Sequence, residues 1–154
     1  MAEEIVRLLA EKGKTLAVAE SSTGGLIGHL VTEVAGSSAV FLGGVIAYHD
    51  DVKEELLGVP KAVLATEGAV SAAVAEAMAE GVRRLLGADI GVAVTGIAGP
   101  TGATAAKPLG LTYVALAAQG TLLCERFLWT GSRSENKRAA AEAALRLLQR
   151  YLGG

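Results

Sequence analysis

Three short segments hold the residue types that hydrolytic chemistry needs. The first is Glu20-Ser21-Ser22-Thr23-Gly24-Gly25, three hydroxyls ahead of a glycine pair. Between a strand and a helix, a serine here points from the strand's carboxyl end into the crevice where α/β proteins bind ligands. The helix N-terminus adds free N–H groups that suit a phosphate or the oxyanion of acyl transfer. The same hydroxyls also suit plain helix capping, and this segment alone leaves both readings open. The second is Tyr48-His49-Asp50-Asp51-Val52-Lys53. A serine becomes a nucleophile only beside a base, and a lysine can be that base. Its pKa must fall from ~10.4 to ~7–8, which costs about 4 kcal/mol of desolvation or like-charge stress. A buried Lys53 meets that condition, whereas an ordinary surface lysine does not. Tyr48 could relay a proton or orient the amine. The third runs Thr95-Gly96-Ile97-Ala98-Gly99-Pro100-Thr101-Gly102 and ends in Lys107-Pro108-Leu109-Gly110. Glycine at every third position fits neither a Walker loop nor a Rossmann fingerprint. A backbone-lined pocket with a lysine at its rim and a tight structural loop both fit this segment.

His29 and His49 lack partners at metal-ligand spacing, so no metal site is expected. Cys124 lies within a strand pattern and is expected to pack. His49 as the general base of a different hydrolase is a further alternative.

These segments need elements to aim them. Ile5, Leu8 and Leu9 have helical spacing and Gly13 stops the helix. Thr15–Ala19 reads as a buried strand. Leu26–Val34 reads as a helix with only His29, Thr32 and Glu33 polar, so it should be largely buried. Val40–Tyr48 reads as a strand with Gly43-Gly44 inside. Asp50 or Asp51 caps a short helix to Leu57, closed by Gly58-Val59-Pro60. Ser71–Leu86 is the clearest helix, with Ser71 as N-cap and Val74, Met78 and Leu85 on one face. Asp89–Thr95 is a strand, and a long loop leads to Leu109. Leu111–Ala118 and Leu122–Trp129 form a hairpin around Gln119-Gly120. A last helix carries Ala141, Leu145, Leu148 and Leu152 on one stripe. Strands alternate with helices until the hairpin, which predicts a three-layer α/β/α sandwich on a mixed, mostly parallel sheet. The whole chain, residues 1–154, reads as one domain.

Composition agrees with a small-molecule site. The chain has 154 residues, 51% of them hydrophobic, and a mean hydropathy of +0.43. No run reaches the ~18 apolar residues of a membrane span, so no membrane partner is expected. Net charge is −2 without a basic block, and aromatics are only 4%. Both argue against a nucleic-acid partner. Glu3 and Glu4 stand where a signal peptide would be basic, and a single cysteine suits a reducing compartment, so a cytoplasmic location is expected. Glycine is in excess, 20 residues where average usage gives about 11. Clustered glycines serve positive φ angles or close approach of a ligand to the backbone.

Taken together, the segments resemble the CinA C-terminal family, which includes stand-alone nicotinamide-nucleotide amidases. The resemblance runs from Leu16 to Arg138. It rests on Ala19-Glu20-Ser21-Ser22-Thr23-Gly24-Gly25, Gly36-Ser37-Ser38 with Phe41-Leu42-Gly43-Gly44, Tyr48 followed by Lys53, Gly68-Ala69-Val70-Ser71, Thr95 to Pro100, and Lys107-Pro108-Leu109-Gly110. It implies hydrolysis of the carboxamide of nicotinamide mononucleotide to the nicotinate nucleotide and ammonia. It places the nucleophile at Ser21 and its partners at Tyr48 and Lys53. The surrounding binding residues would be Glu20, Thr23, Gly24, Gly25, Gly44, Thr95, Gly96, Gly99, Lys107, Arg133 and Arg138. N–H groups from Thr23 to Gly25 would hold the oxyanion. No cofactor is implied, and a homodimer or higher homo-oligomer is. The chain departs from the family pattern at Ser22 (usually cysteine), Asp50 (asparagine), Glu67 (histidine) and Ala106 (acidic), and Gly131-Ser132-Arg133 lacks a common aspartate. Larger relatives carry an extra N-terminal pyrophosphatase-type domain, and that activity is not expected here. The rival reading is a catalytically weak or inactive nucleotide-binding module of the same fold.

Overall fold

A computed structural model describes residues 1–153; the last residue of the expected 1–154 domain lies outside them. Five strands form one sheet in the order β2-β1-β3-β4-β5: β1 is Leu16–Glu20, β2 Phe41–Ile46, β3 Ile90–Gly96, β4 Leu111–Ala118 and β5 Thr121–Leu128. β2, β1 and β3 pair in parallel, and β4 and β5 follow as an antiparallel hairpin. Four strands therefore run one way and only β4 opposes them. Helices cover both faces, so the expected α/β/α sandwich on a mixed sheet is what the chain forms.

Strand alternation separates the two faces. Leu16, Val18, Ile90, Val92, Val94, Val114 and Leu116 share one core cluster with residues of α1 (Ala2–Lys12), α2 (Leu26–Thr32) and α6 (Arg133–Gly153). Ala17, Ala19, Ala93, Ala115 and Ala117 share the other with α3 (Asp50–Leu57) and α5 (Ala72–Leu86). The alanine face lets its helices come close. A Cβ on Gly91 would strike the Ala79 carbonyl oxygen of α5, and one on Gly81 would strike the Leu57 carbonyl oxygen of α3.

Ser71 caps α5, its hydroxyl accepting from the Val74 N–H at 3.3 Å. Ala141, Leu145, Leu148 and Leu152 of α6 are all buried as their stripe predicts. Four expectations need correction. α2 fully buries only Ile27 and Val31, because a seven-residue helix presses one stripe onto the core; Leu26 and Leu30 pack against it half-buried, and His29 and Thr32 are exposed. α3 is capped by His49, whose Nδ1 accepts from the Asp51 N–H at 3.1 Å, and not by Asp50 or Asp51. Leu85 lies in the last turn of α5 and is exposed, while Ala75, Ala79 and Val82 complete its buried stripe. An unexpected helix, α4 (Lys61–Glu67), follows Pro60, which stands at its N-cap two residues after Gly58 has closed α3.

Candidate active site

The site forms at the carboxyl ends of β1 and β3. Ser21 follows β1 directly, and its N–H still donates to the Val94 carbonyl at 3.1 Å, so the ladder reaches this residue. Alternation then turns Ser21 to the alanine face, the side of α3 and α5. Glu20 turns the other way and is 2% exposed. Its carboxylate accepts from Thr23 Oγ1 at 2.7 Å and from the N–H groups of Gly25, Ile27 and Gly28 at 3.2, 2.9 and 3.0 Å. A buried carboxylate is thereby satisfied by the first turn of α2. This occupies N–H groups that the sequence offered to an oxyanion. Gly25 donates to Glu20 and Gly24 donates to the Ser21 carbonyl at 3.1 Å. Gly24 and Gly25 have φ of 61° and 108°, which the tight turn requires and glycine permits. The N–H groups of Ser22 and Thr23 donate to no acceptor among the described residues.

Lys53 comes from the first turns of α3 and is 1% exposed. Its amine donates to the Tyr48 carbonyl at 3.1 Å and lies 3.5 Å from the Asp50 carboxylate. Burial pushes its pKa below the ordinary lysine value, and the nearby Asp50 charge opposes part of that shift. The Tyr48 ring stays exposed, and its hydroxyl accepts from Arg133 Nη2 at 3.2 Å.

The segment before α5 is fixed by side chains at four successive carbonyls. Lys107 Nζ donates to the Glu67 and Val70 carbonyls, Ser71 Oγ to that of Gly68 at 2.9 Å, and Thr95 Oγ1 to that of Ala69 at 2.8 Å. From the other side, α6 holds the loop after β3. Arg133 Nη1 donates to the Gly99 carbonyl at 2.7 Å and Asn136 Nδ2 to that of Ala98 at 3.0 Å. Between these walls lies a cavity of ≈ 280 Å³ lined by Ser21, Ser22, Tyr48, Asp50, Lys53, Thr95, Gly96 and Arg133, among others. Ser21 and Ser22 are 7% and 8% exposed, and neither hydroxyl has a hydrogen-bond partner among the described residues.

The description "CinA C-terminal domain" belongs to a family model that matches residues 1–152. The chain belongs to this family. A putative competence-damage inducible protein of Desulforudis audaxviator is 51% identical over 145 residues, 94% of this chain and 35% of its own length. A CinA-like protein of Geobacter sulfurreducens is 50% identical over 148 residues, 96% of this chain and 36% of its own. The chain thus spans about a third of these curated relatives. Among solved structures, a competence/damage inducible protein of Agrobacterium tumefaciens superposes with a TM-score of 0.92 at 40% identity, covering 99% of this chain and 96% of that one. A CinA superfamily protein of Klebsiella pneumoniae superposes with a TM-score of 0.95 at 32% identity, covering 99% and 95%.

Within this CinA domain, Ser21, Tyr48, Lys53, Thr95, Gly96 and Arg133 share one cavity. Glu20, Thr23, Gly24, Gly25, Gly44, Gly99, Lys107 and Arg138 lie outside its lining. Gly44 pairs with Val18, where a Cβ would come 2.6 Å from Val18 Cγ2. Gly99, at φ 91°, presents its carbonyl to Arg133. Arg138 is mostly exposed and pairs with Glu142 at 3.7 Å. The sequence reading missed Asn136, which is 6% exposed. A polar residue one turn ahead of the buried stripe of α6 was the available signal. Size alone does not mark the site, for a larger cleft of ≈ 660 Å³ opens at the opposite end of the sheet beside Arg83 and Arg84. Among the described residues, no three His, Cys, Asp or Glu side chains gather to hold a metal, and no helix is long and apolar enough to cross a membrane.

Proposed function

We propose that this domain is an amidohydrolase that converts nicotinamide mononucleotide to the nicotinate nucleotide and ammonia. The observation that carries the reading is a lysine 1% exposed, its charge disfavoured by burial, lining the same cavity as an unpartnered serine. Neutral Lys53 takes the proton of Ser21, and Oγ attacks the amide carbon. The amide oxygen gains the negative charge, and the N–H groups of Ser22 and Thr23, which have no acceptor among the described residues, are the donors left in this turn to hold it. The tetrahedral intermediate collapses, the C–N bond breaks, and the proton carried by Lys53 leaves with the ammonia. Tyr48 accepts from Arg133, so its own O–H is free to donate to the leaving nitrogen. Water then adds to the acyl-enzyme with Lys53 again as base, and Ser21 regains its proton.

Alternation along β1 favours Ser21 over Ser22 as nucleophile, since Lys53 lies on the alanine face. The substrate itself is taken from the motif resemblance. Arg133, exposed at the mouth of the cavity, is the lining group that suits an anionic ligand. The test is ammonia release from nicotinamide mononucleotide. Ser21→Ala is expected to lower kcat/KM by about 10³-fold or more. Full activity in Ser21→Ala would overturn the assignment, and loss confined to Ser22→Ala would move the nucleophile by one residue. A second reading rests on Asp50, whose charge 3.5 Å from Lys53 favours the protonated amine. A non-catalytic nucleotide-binding module would then bind the nucleotide and release no ammonia.

A further inference from the structure

We propose that Lys107 is a positioning residue for the reaction: it clamps residues 67–71 as one wall of the cavity and so fixes the space in which Ser21 meets its substrate. This rests on the amidase reading above and goes further by naming what holds that wall.

The wall has little backbone bonding of its own. Residues 67–71 lead from the end of α4 to the N-cap of α5, and Ala69 and Val70 among them line the cavity. Among the described residues, the carbonyls of Glu67, Gly68, Ala69 and Val70 accept from side chains only. The bond from Ser71 to Gly68 stays within the segment. The ties to the rest of the molecule are one bond from Thr95, to Ala69, and two from Lys107, to Glu67 and Val70. Lys107 therefore holds both ends of the wall.

The lysine itself stands on a fixed base. Its N–H donates to the Thr104 carbonyl at 3.2 Å and to Thr104 Oγ1 at 3.1 Å, and the Thr104 N–H donates back to the Lys107 carbonyl at 2.9 Å. The loop that carries this turn is closed at its root, where the Gly110 N–H donates to the Ile97 carbonyl at 2.8 Å. The same loop supplies Ile97, Ala98, Thr101 and Gly102 to the cavity lining. Lys107 thus reaches from one wall of the cavity to the other. Gly68 makes room for the amine: its φ is 78°, and a Cβ there would come 3.3 Å from Lys107 Nζ, closer than ordinary contact. An ammonium has three donors, and two are spent on these carbonyls. Hydrogen bonds from a charged donor are about twice as strong as neutral ones. A shift of about 1 Å in the reacting geometry can cost ~10²-fold in rate, so a loosened wall should be felt at Ser21.

Lys107→Met is expected to lower kcat for nicotinamide mononucleotide by about 10²-fold with KM changed by less than about threefold, and Lys107→Arg to recover part of the loss. Gly68→Ala disturbs the same joint with Lys107 intact. It should lower kcat too, and the double variant should lose no more than the larger single loss. An unchanged kcat in the folded fraction of Lys107→Met would leave the lysine a mere stabiliser of the fold. A loss confined to KM would make it a substrate contact. Either result overturns the proposal. Backbone ¹⁵N order parameters read the clamp without turnover. They are expected near ~0.85 for Gly68–Ser71 in wild type and below about 0.6 in Lys107→Met. If Lys107→Met does not fold, Gly68→Ala carries both readouts. Loosening in the variant of a wild type that releases no ammonia supports the clamp and removes the amidase reading alone. Order parameters that keep their wild-type values overturn the clamp, whatever the activity.

Discussion

On the face covered by α1, α2 and α6 the strands present Leu16, Val18, Ile90, Val92, Val94, Val114 and Leu116. On the face covered by α3 and α5 they present alanines, with Gly91 beside them. The first face is a hydrophobic core in the usual sense, where branched chains fill the space between layers. The second is a close contact of backbones. Its small residues leave room for α5 to lie against β3 and for α3 to lie against α5. That approach is what buries Lys53, because α3 carries the lysine and Leu57 of the same helix sits against Gly81. The two faces thus do different work. The bulky one holds the fold together, and the thin one sets the depth of a charged side chain.

Substitutions on each face can break this comparison. The largest loss of stability is expected on the bulky face. Leu148→Ala removes a side chain 1% exposed and should cost about 2–5 kcal/mol in denaturant unfolding. The kcat of the folded fraction should not change. On the thin face, Gly81→Ala forces a methyl against the Leu57 carbonyl oxygen, with an expected cost of about 1–3 kcal/mol. Here activity should fall as well, by up to ~10²-fold, because α3 must shift and take Lys53 with it. If Leu148→Ala damaged turnover as much as Gly81→Ala does, the division of labour between the faces would be wrong.

Much of the architecture was legible because hydrophobic periodicity and glycine stops are local signals. Gly13, Gly58 and Gly87 all end helices in the left-handed conformation, as their positions predict. α4 was not legible, since Pro60 reads as part of the stop after Gly58 and yet stands at the N-cap of the next helix. Ser21 and Lys53 were ambiguous one at a time. Their convergence depends on strand alternation and on the packing of α3 against α5, which no short window contains. Lys107 shows the converse. A lysine beside a glycine-rich loop invites a ligand, but here its amine meets two carbonyls 40 and 37 residues away in sequence. Glu20 was read as a binding residue, whereas both its oxygens serve the α2 turn. The Lys107 partnership depends on where a distant backbone passes, whereas that of Glu20 is local, to residues 3 to 8 places on, and depends on the chain turning back over the carboxylate.

The central claim is that folding weakens the preference of Lys53 for its charged form in the cavity it shares with Ser21. Burial lowers its pKa from the ordinary 10.5. Between the lowered value and 10.5, the unfolded chain binds more protons than the folded one, so stability rises with pH across that window and is lost as pH falls through the lowered value. The direct measurement is the titration of the Lys53 side chain by NMR in protein carrying ¹³C at lysine Cε, with Lys53→Met to assign the signal. The account predicts a midpoint below those of the exposed lysines Lys12 and Lys61, matched by the pH at which kcat/KM rises. A midpoint equal to theirs, or above, would contradict it.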